Sequence, residues 1–408
     1  MKTKVTVFGL GYIGLPTAGI LAENGFEVLG IDVEKSVVES INSGKVHISE
    51  PDLNDLIAKN VNNGNLRAST EPIESDVFII AVPTPFKCSE KENKHNLPEP
   101  DLKYIFQVIN SISRVLKKNN LIILESTSPI GTTKKIQSEI IKSTGFDKDD
   151  CKIAYCPERV IPGNILKELV NNDRVVGGVN KSSTELAKKF YSGFCKGNIF
   201  TTDSNTAEMV KLSENAYRDV NIAFANELSI ICENKDINVR ELIKIANCHP
   251  RVNILNPGAG VGGHCIAIDP WFIAWDQPEN TPLIQTSRKV NNQKTEWIIK
   301  KIKSYIISFK KNISREPIVG IMGLAFKADC DDLRESPALK IFQTLKDQFP
   351  NIYPCDPYVN PKNINFEIFD REFVINKSDL LVFLVSHSAF ADLNIKSKRV
   401  IDICGILG

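Results

Sequence analysis

Nothing in the 408-residue sequence approaches the roughly 18 consecutive apolar residues of a membrane span, so no membrane partner is expected. None of the ten cysteines (Cys88, Cys151, Cys156, Cys195, Cys232, Cys248, Cys265, Cys330, Cys355 and Cys404) stands in Cys-x-x-Cys spacing or near paired histidines. That excludes a zinc site and a disulfide framework and fits a reducing compartment, with no metal expected. An excess of charge is missing too: 50 Lys plus Arg face 49 Asp plus Glu, a net charge of +1. A basic nucleic-acid footprint and a polybasic membrane surface are therefore excluded, and the expected partner is a small molecule. Met1-Lys2-Thr3-Lys4 leads straight into an alternating apolar run, without the longer apolar stretch and cleavage site of a signal peptide, so a cytoplasmic protein is expected.

What is present is ordinary globular composition, 42% hydrophobic and 24% charged, which rules out disorder, collagen and coiled coil. The length implies about two or three domains. Residues 4–32 read as strand, Gly-rich turn, helix from Leu15 to Asn24, and a second strand, Glu27 to Ile31, closing on Asp32. Further strands are expected at 77–82, 121–125, 153–155 and 175–177, separated by helical patterns, as in a doubly wound parallel sheet. The segment 86–100, rich in Lys, Glu, Asn and Pro, reads as an exposed loop. From Ser204 to about Asp236 the pattern becomes one long helix, with more helix from Val239 to Asn247, then a Pro/Gly loop, 256–263, before His264-Cys265. Lys310 to Glu316 reads as a linker. A second βαβ pattern follows, with strands at 318–322, 352–354, 380–385 and 400–403 and a helix from Ser336 to Gln348. The expected architecture is α/β: an N-terminal Rossmann doubly wound parallel sheet (1–203), a central long-helix region (204–306) and a second, smaller Rossmann-like α/β domain (307–408). A cleft between the α/β units is the expected ligand site.

Gly9-Leu10-Gly11-Tyr12-Ile13-Gly14 is a complete G-x-G-x-x-G directly after a strand and before a helix, with Asp32 at the end of the next strand. The first Gly permits the tight turn, the second lets the backbone approach a pyrophosphate, and the third lets helix and strand pack closely. Asp32 would hold ribose hydroxyls and repel a 2′-phosphate, which favours NAD over NADP. Two more strand ends, Val82-Pro83-Thr84-Pro85 and Glu125-Ser126-Thr127-Ser128-Pro129, carry small hydroxyls where ligands meet the edge of a parallel sheet.

A second dense motif is Gly260-Val261-Gly262-Gly263-His264-Cys265-Ile266-Ala267-Ile268-Asp269-Pro270. Its glycines would let a substrate approach Cys265, and a thiolate beside a nicotinamide suggests an aldehyde trapped as a thiohemiacetal that gives up a second hydride. By itself a cysteine after a Gly-rich loop is more often a structural residue. On the long helix Lys211, Asn215 and Arg218 fall at i, i+4 and i+7, either a functional face or a solvated one. There Lys211 would serve as a general base or as an oxyanion stabiliser. Glu158, in Tyr155-Cys156-Pro157-Glu158-Arg159, offers a carboxylate for activating water, with a surface Glu158-Arg159 pair as the alternative. His249-Pro250-Arg251 offers contacts for a diphosphate or sugar; His264 is given no role.

In this order, the segments 9–16, Lys211 with Asn215, Gly262-Gly263-His264-Cys265 with Asp269, and Ala325-Phe326-Lys327 with Arg334-Glu335-Ser336 resemble the UDP-glucose/GDP-mannose dehydrogenase family over nearly the whole chain. The resemblance implies oxidation of a UDP-sugar at C6 to a carboxylate with two NAD and one water. The expected sugar nucleotide is UDP-N-acetyl-D-mannosamine, with UDP-N-acetylglucosamine, UDP-glucose and GDP-mannose as alternatives and a surface polysaccharide or glycan as destination. A non-catalytic NAD-binding regulatory subunit is the remote alternative. Carried over by position, Cys265 would be the nucleophile and Lys211 the proton-transferring, oxyanion-stabilising group. Asn215 and Asp269 would position water or Lys211, Glu158 would be the base in thioester hydrolysis, and Thr127 would lie near both ligands. Gly9, Gly11, Tyr12, Ile13, Gly14, Asp32, Thr84, Thr127 and Arg334 would form the NAD site. Arg159, Val160, Lys211, Asn215, Arg218, His249, Arg251, Gly262, Phe326 and Lys327 would line the UDP-sugar site. The resemblance also implies a homodimer, or higher homo-oligomer, formed through the central helices, with His249 and Arg251 able to reach the neighbour's site. The chain departs from the family's pattern at 87–96.

Overall fold

The computed structural model describes all residues except 1, 88–96, 264, 394, 396, 397 and 408, and the side chain of Asn363. Most of the expected 86–100 loop, the departure at 87–96, Cys88 and His264 therefore lie outside the described residues. The chain divides into two compact units, Met1–Ser213 and Glu214–Gly408.

The first unit is built on eight strands: β1 (Lys4–Phe8), β2 (Glu27–Ile31), β3 (Leu66–Ser69), β4 (Val77–Ile80), β5 (Leu121–Leu124), β6 (Lys152–Tyr155), β7 (Arg174–Gly178) and β8 (Ile199–Asp203). Their order is β3-β2-β1-β4-β5-β6-β7-β8, so β1 stands where the order reverses and its carboxyl end is the ligand-binding edge. Successive residues pack on opposite faces. Val5, Val7, Ile79 and Ile123 join one buried cluster, while Phe8, Phe78, Ile80, Ile122 and Leu124 join the other. With helices on both faces, the central strands β4 and β5 are apolar at every position, which is why they read as unbroken hydrophobic runs.

Two features depart from the sequence expectation. The sheet is not wholly parallel, because β6 and β7 pair antiparallel. In addition, β3 and β8 carry no strong signal: β3 is four residues with an exposed Arg67, and β8 is a half-exposed edge.

The second unit contains four parallel strands, β9 (Val319–Met322), β10 (Ile352–Cys355), β11 (Leu380–Phe383) and β12 (Arg399–Asp402), in the order β10-β9-β11-β12. Again one residue set faces each way, Val319, Ile321, Leu380 and Val382 against Met322, Leu381 and Phe383. The helix Pro337–Lys346 covers the first face through Ile341, Phe342 and Leu345 and is capped by Ser336, whose hydroxyl accepts from the Leu339 N–H. The expected linker at Lys310 is helical as far as Ile313, as the end of the helix Pro282–Ile313. No Gly or Pro stops that helix earlier, and Lys310 and Lys311 in its last turn favour its negative end. It stops at Ser314, which sits at φ +57.

Ile321 is fully buried in β9, and Ile321→Ala should cost about 2–5 kcal/mol of stability. Trp271, Trp275 and Trp297, the three tryptophans of the chain, all belong to the second unit. Their fluorescence in a urea titration should therefore report the lowered midpoint directly.

Candidate active site

In the first unit the glycine turn is dictated by contact distance. Gly9 has φ +84, and a Cβ there would lie 2.6 Å from the Ala81 carbonyl oxygen; at Gly14 it would lie 1.8 Å from the carbonyl oxygen of Gly9. A Cβ at Gly11 would meet nothing within 4 Å, which is the room a pyrophosphate requires. The helix Gly14–Glu23 that starts here has no side-chain cap. Asp32 is braced at the turn: Oδ2 accepts the Leu10 N–H at 2.9 Å and Oδ1 the Glu34 N–H at 3.1 Å. A glycine cradle, an uncapped helix start and an acidic residue at the neighbouring strand end fit a dinucleotide. Tyr12 and Ile13 stand in the same turn.

The ends of β4 and β5 are laced together. Thr84 Oγ1 donates to the Thr127 carbonyl at 2.7 Å and Ser126 Oγ to the Val82 carbonyl at 2.7 Å. The following helix, Thr132–Thr144, is capped at a distance by Glu208, whose carboxylate accepts the N–H groups of Gly131 and Thr133 and the Thr133 hydroxyl. Glu208 lies one turn before Lys211 on the helix Ser204–Glu233, so the cap also fixes the loop carrying Thr127 against that helix.

Lys211 is buried and its Nζ donates to the backbone carbonyl of Glu158 at 2.9 Å. The Glu158 carboxylate does not pair with its neighbour Arg159. Instead it meets Arg174 at 2.5 Å, both side chains being almost inaccessible, at 6% and 5%. The Arg174 guanidinium also donates to the Leu169 carbonyl at 2.9 Å and weakly to the Cys156 thiol, and lies 4.6 Å from the centre of the Tyr191 ring. Tyr191 in turn donates its hydroxyl to Glu125 Oε1 at 2.7 Å. Burial, and then repulsion by the Glu158 carboxylate, push the Glu125 carboxyl up to about 8, so it is protonated at neutral pH. Burial pushes the Cys156 thiol up to about 12, leaving it neutral. Arg159 turns elsewhere, donating to the Asp173 carbonyl at 3.1 Å, and Val160 packs against the core.

In the second unit Asn215 donates to Asp269 Oδ2 at 2.5 Å, both residues being buried. Asp269 starts the helix Asp269–Asp276, and its N–H donates back to the carbonyl of the exposed Cys265 at 2.9 Å. The loop before Cys265 is held from three sides. The Gly258 N–H donates to Asn226 Oδ1, Thr295 Oγ1 donates to the Ala259 carbonyl, and the Gly263 N–H donates to the Arg334 carbonyl. A Cβ on Gly262 would come 2.5 Å from the Glu335 carbonyl oxygen, and one on Gly263, at φ +81, would come 2.8 Å from the Phe326 ring. The Cys265 loop is thus seated on the first βα turn of the second α/β sheet, bringing Gly262, Phe326 and Arg334 together. Arg334 itself is half-exposed and clasps Asp332, and the Lys327 ammonium lies 5.9 Å from the Phe326 ring.

The two acidic residues that close the two βαβ turns differ. Asp356, the counterpart of Asp32, accepts the Leu324 and Ala325 N–H groups and His387 Nε2 on one oxygen and the Tyr358 and Val359 N–H groups on the other. Burial opposes its charge, but hydrogen bonds from His387 and the backbone hold it below the usual carboxylate range. Fully engaged and buried, Asp356 has no oxygen left for a ribose, whereas Asp32 is partly exposed.

The expected polar face of the long helix is shifted. Its buried polar stripe runs through Glu208, Lys211, Asn215, Asp219 and Asn226, while Arg218 sits at the stripe's edge and is exposed, as are His249 and Arg251. Sequence reading passed over Glu125, Arg174, Tyr191, Glu208 and Asp219. Their one visible sign is a polar residue inside an apolar pattern, as with Arg174 opening a strand.

Three segments match models of the UDP-glucose/GDP-mannose dehydrogenase family: residues 3–195 its NAD binding domain, 205–293 its central domain and 320–408 its UDP binding domain. The chain is 46% identical over 418 residues to a UDP-N-acetyl-D-mannosamine dehydrogenase of Campylobacter jejuni, covering 98% of this chain and 99% of that protein. It is 45% identical over 417 residues to an NDP-N-acetyl-D-galactosaminuronic acid dehydrogenase of Ralstonia nicotianae, covering 98% and 96%. Among solved structures, a UDP-N-acetyl-mannosamine dehydrogenase from Staphylococcus aureus superposes with a TM-score of 0.88 at 40% identity, covering 99% of this chain and 95% of that one.

Proposed function

The chain belongs to the UDP-glucose/GDP-mannose dehydrogenase family, and from that premise we propose that it oxidises UDP-N-acetyl-D-mannosamine at C6 to the uronate, consuming two NAD and one water. The observation that carries the choice of sugar is the likeness, over essentially the whole of both chains, to the proteins of that name from Campylobacter jejuni and Staphylococcus aureus. The 45% identity to the N-acetylgalactosaminuronate enzyme keeps an N-acetylgalactosamine nucleotide as the second reading. The proposed division of labour is 1–203 for NAD, 204–306 for the helices and the Cys265 loop, and 307–408 for the UDP-sugar, a scheme close to the three matched family segments.

When bound, NAD supplies the hydride acceptor for both oxidations. It would be held by the Gly9–Gly14 turn, Tyr12, Ile13 and Asp32, with Thr84, Thr127 and Arg334 as further contacts. In the first step the C6 alcohol loses a hydride and a proton to become an aldehyde. The Cys265 thiolate adds to that aldehyde, and the hemithioacetal oxyanion is met by Lys211. Loss of a second hydride leaves a thioester. Water, deprotonated by the Glu158 carboxylate, then releases the acid and restores the thiolate. Exposure of Cys265 and its hydrogen-bonded tie to Asp269 and Asn215 support the nucleophile's placement. Lys211, anchored to the Glu158 carbonyl, has its ammonium beside the residue assigned as base. Arg159, Val160, Arg218, His249, Arg251, Gly262, Phe326 and Lys327 are assigned to the sugar nucleotide.

We place the enzyme in the cytoplasm. All nine described cysteines are free, and no described helix is long and apolar enough to cross a membrane. A homodimer through the central helices is supported by Tyr217, Phe224 and Ile231, exposed at 65%, 51% and 49% and spaced seven residues apart on one helix.

Side-by-side kcat/KM on the N-acetylmannosamine, N-acetylgalactosamine, N-acetylglucosamine and glucose UDP-sugars and on GDP-mannose should favour the first by more than about tenfold; preference for another rejects the assigned sugar. Cys265→Ser should cut acid formation by about 10³-fold or more while NAD affinity is kept, and retained turnover rejects the nucleophile. Phe224→Glu should sediment at half the wild-type mass, and an unchanged mass places any dimer interface elsewhere.

A further inference from the structure

The Glu158–Arg174 pair forms the immediate surroundings of the base assigned above. The guanidinium is 5% exposed, so any second carboxylate within its reach competes with Glu158 for it. A second carboxyl stands beside the same pair. Glu125, at the end of β5, is 3% exposed, and its Oε1 accepts the Tyr191 hydroxyl at 2.7 Å. Its Oε2 is buried with no hydrogen-bond partner among the described residues. Tyr191 stacks under the Arg174 guanidinium at 4.6 Å, and Arg174 reaches both Glu158 and the Cys156 thiol. The groups that face Glu125 are therefore Tyr191, Cys156, Arg174 and Glu158, with Lys211 one link further through the Glu158 carbonyl.

We propose that Glu125 is a positioning residue for the reaction: its protonated carboxyl leaves Arg174 to Glu158 alone, and through Glu158 it sets the place of Lys211. No bond to substrate is involved. With Glu125 neutral, the buried set carries one anion and one cation. Once Glu125 ionises, its unpartnered oxygen becomes a rival carboxylate for Arg174. The guanidinium is then shared, Glu158 is pulled from its place, and the carbonyl that anchors Lys211 moves with it. Glu125 thereby acts as an alkaline switch, and the titration near 8 places that switch just above neutral pH. The inference rests on the reading of Glu158 and Lys211 as reacting groups.

The test compares kcat against pH, each profile normalised to its own plateau, for wild type, Glu125→Gln and Tyr191→Phe. In wild type one ionisation near 8 should lower kcat about tenfold by pH 9. In Glu125→Gln that limb should vanish, leaving less than about a twofold fall over the same range. Tyr191→Phe removes a hydrogen bond that favours the ionised carboxyl, so the limb should move to higher pH. A limb unchanged in Glu125→Gln, or moved downward in Tyr191→Phe, overturns the proposal. Infrared difference spectra of the substrate-free protein between about pH 6 and about pH 9.5 should show a carboxylic-acid C=O band in wild type that is missing in Glu125→Gln. Absence of that band from wild type also overturns it. The band is read without turnover, so it separates the two readings. Glu158→Gln that still forms acid at the wild-type rate brings down the assigned base while leaving the protonation of Glu125 measured.

Discussion

A guanidinium removed from water holds its paired carboxylate in place, and the contact of Arg174 with Glu158 is the constraint on which the geometry of the first unit's candidate site depends. Arg174 opens β7 and Glu158 lies in the loop just after β6, so the pair ties together the two strands that run antiparallel. The ring of Tyr191 and the Leu169 carbonyl complete the guanidinium's surroundings. With the Glu158 side chain anchored below, its main-chain carbonyl is free to fix Lys211. A single buried ion pair thus fixes the Glu158 carboxylate and, through the Glu158 carbonyl, the Lys211 side chain at the carboxyl edge of the sheet, where a parallel fold binds its ligands. Stability is not the main consequence of such a pair, because the desolvation of two charges consumes most of their attraction. Its consequence is geometric.

The same economy explains why two similar βαβ turns serve different ligands. Gly9 and Gly323 both adopt positive φ, and both turns end on an aspartate that accepts backbone N–H groups. Asp32 keeps a partly exposed carboxylate, whereas Asp356 is consumed by four backbone donors and His387. Only the first can offer oxygens to ribose hydroxyls. The second turn spends its backbone instead on seating the Cys265 loop, through the carbonyls of Arg334 and Glu335 and the ring of Phe326.

Much of this was readable in the sequence where physics acts over a few residues. The G-x-G-x-x-G with Asp32, the two βαβ patterns and the glycines before Cys265 are local consequences of turn sterics and strand periodicity, and the structure contains them. The shortfall comes from long-range pairing. Glu158 adjoins Arg159 in sequence, yet its partner is sixteen positions away; nothing in the spacing marks Arg174 as that partner. Arg218 shares a heptad-like spacing with Lys211, but the stripe is centred nearer Asn215, leaving it exposed. Glu125 was visible only as one letter of a hydroxyl-rich strand end. Its isolation from water, which defines its chemistry, is a property of the packed sheet. The antiparallel turn of β7 and the helical run to Ile313 were likewise decided by tertiary packing and helix-end charge rather than by any breaker residue.

The central claim is that one site carries an alcohol through two successive oxidations on Cys265. The most direct measurement is the ratio of NADH formed to UDP-N-acetylmannosamine consumed, followed to completion with the wild-type protein. The account predicts about two NADH per sugar, with the uronate as the product and no free aldehyde accumulating. A ratio of about one, with aldehyde as the end product, would contradict the covalent scheme.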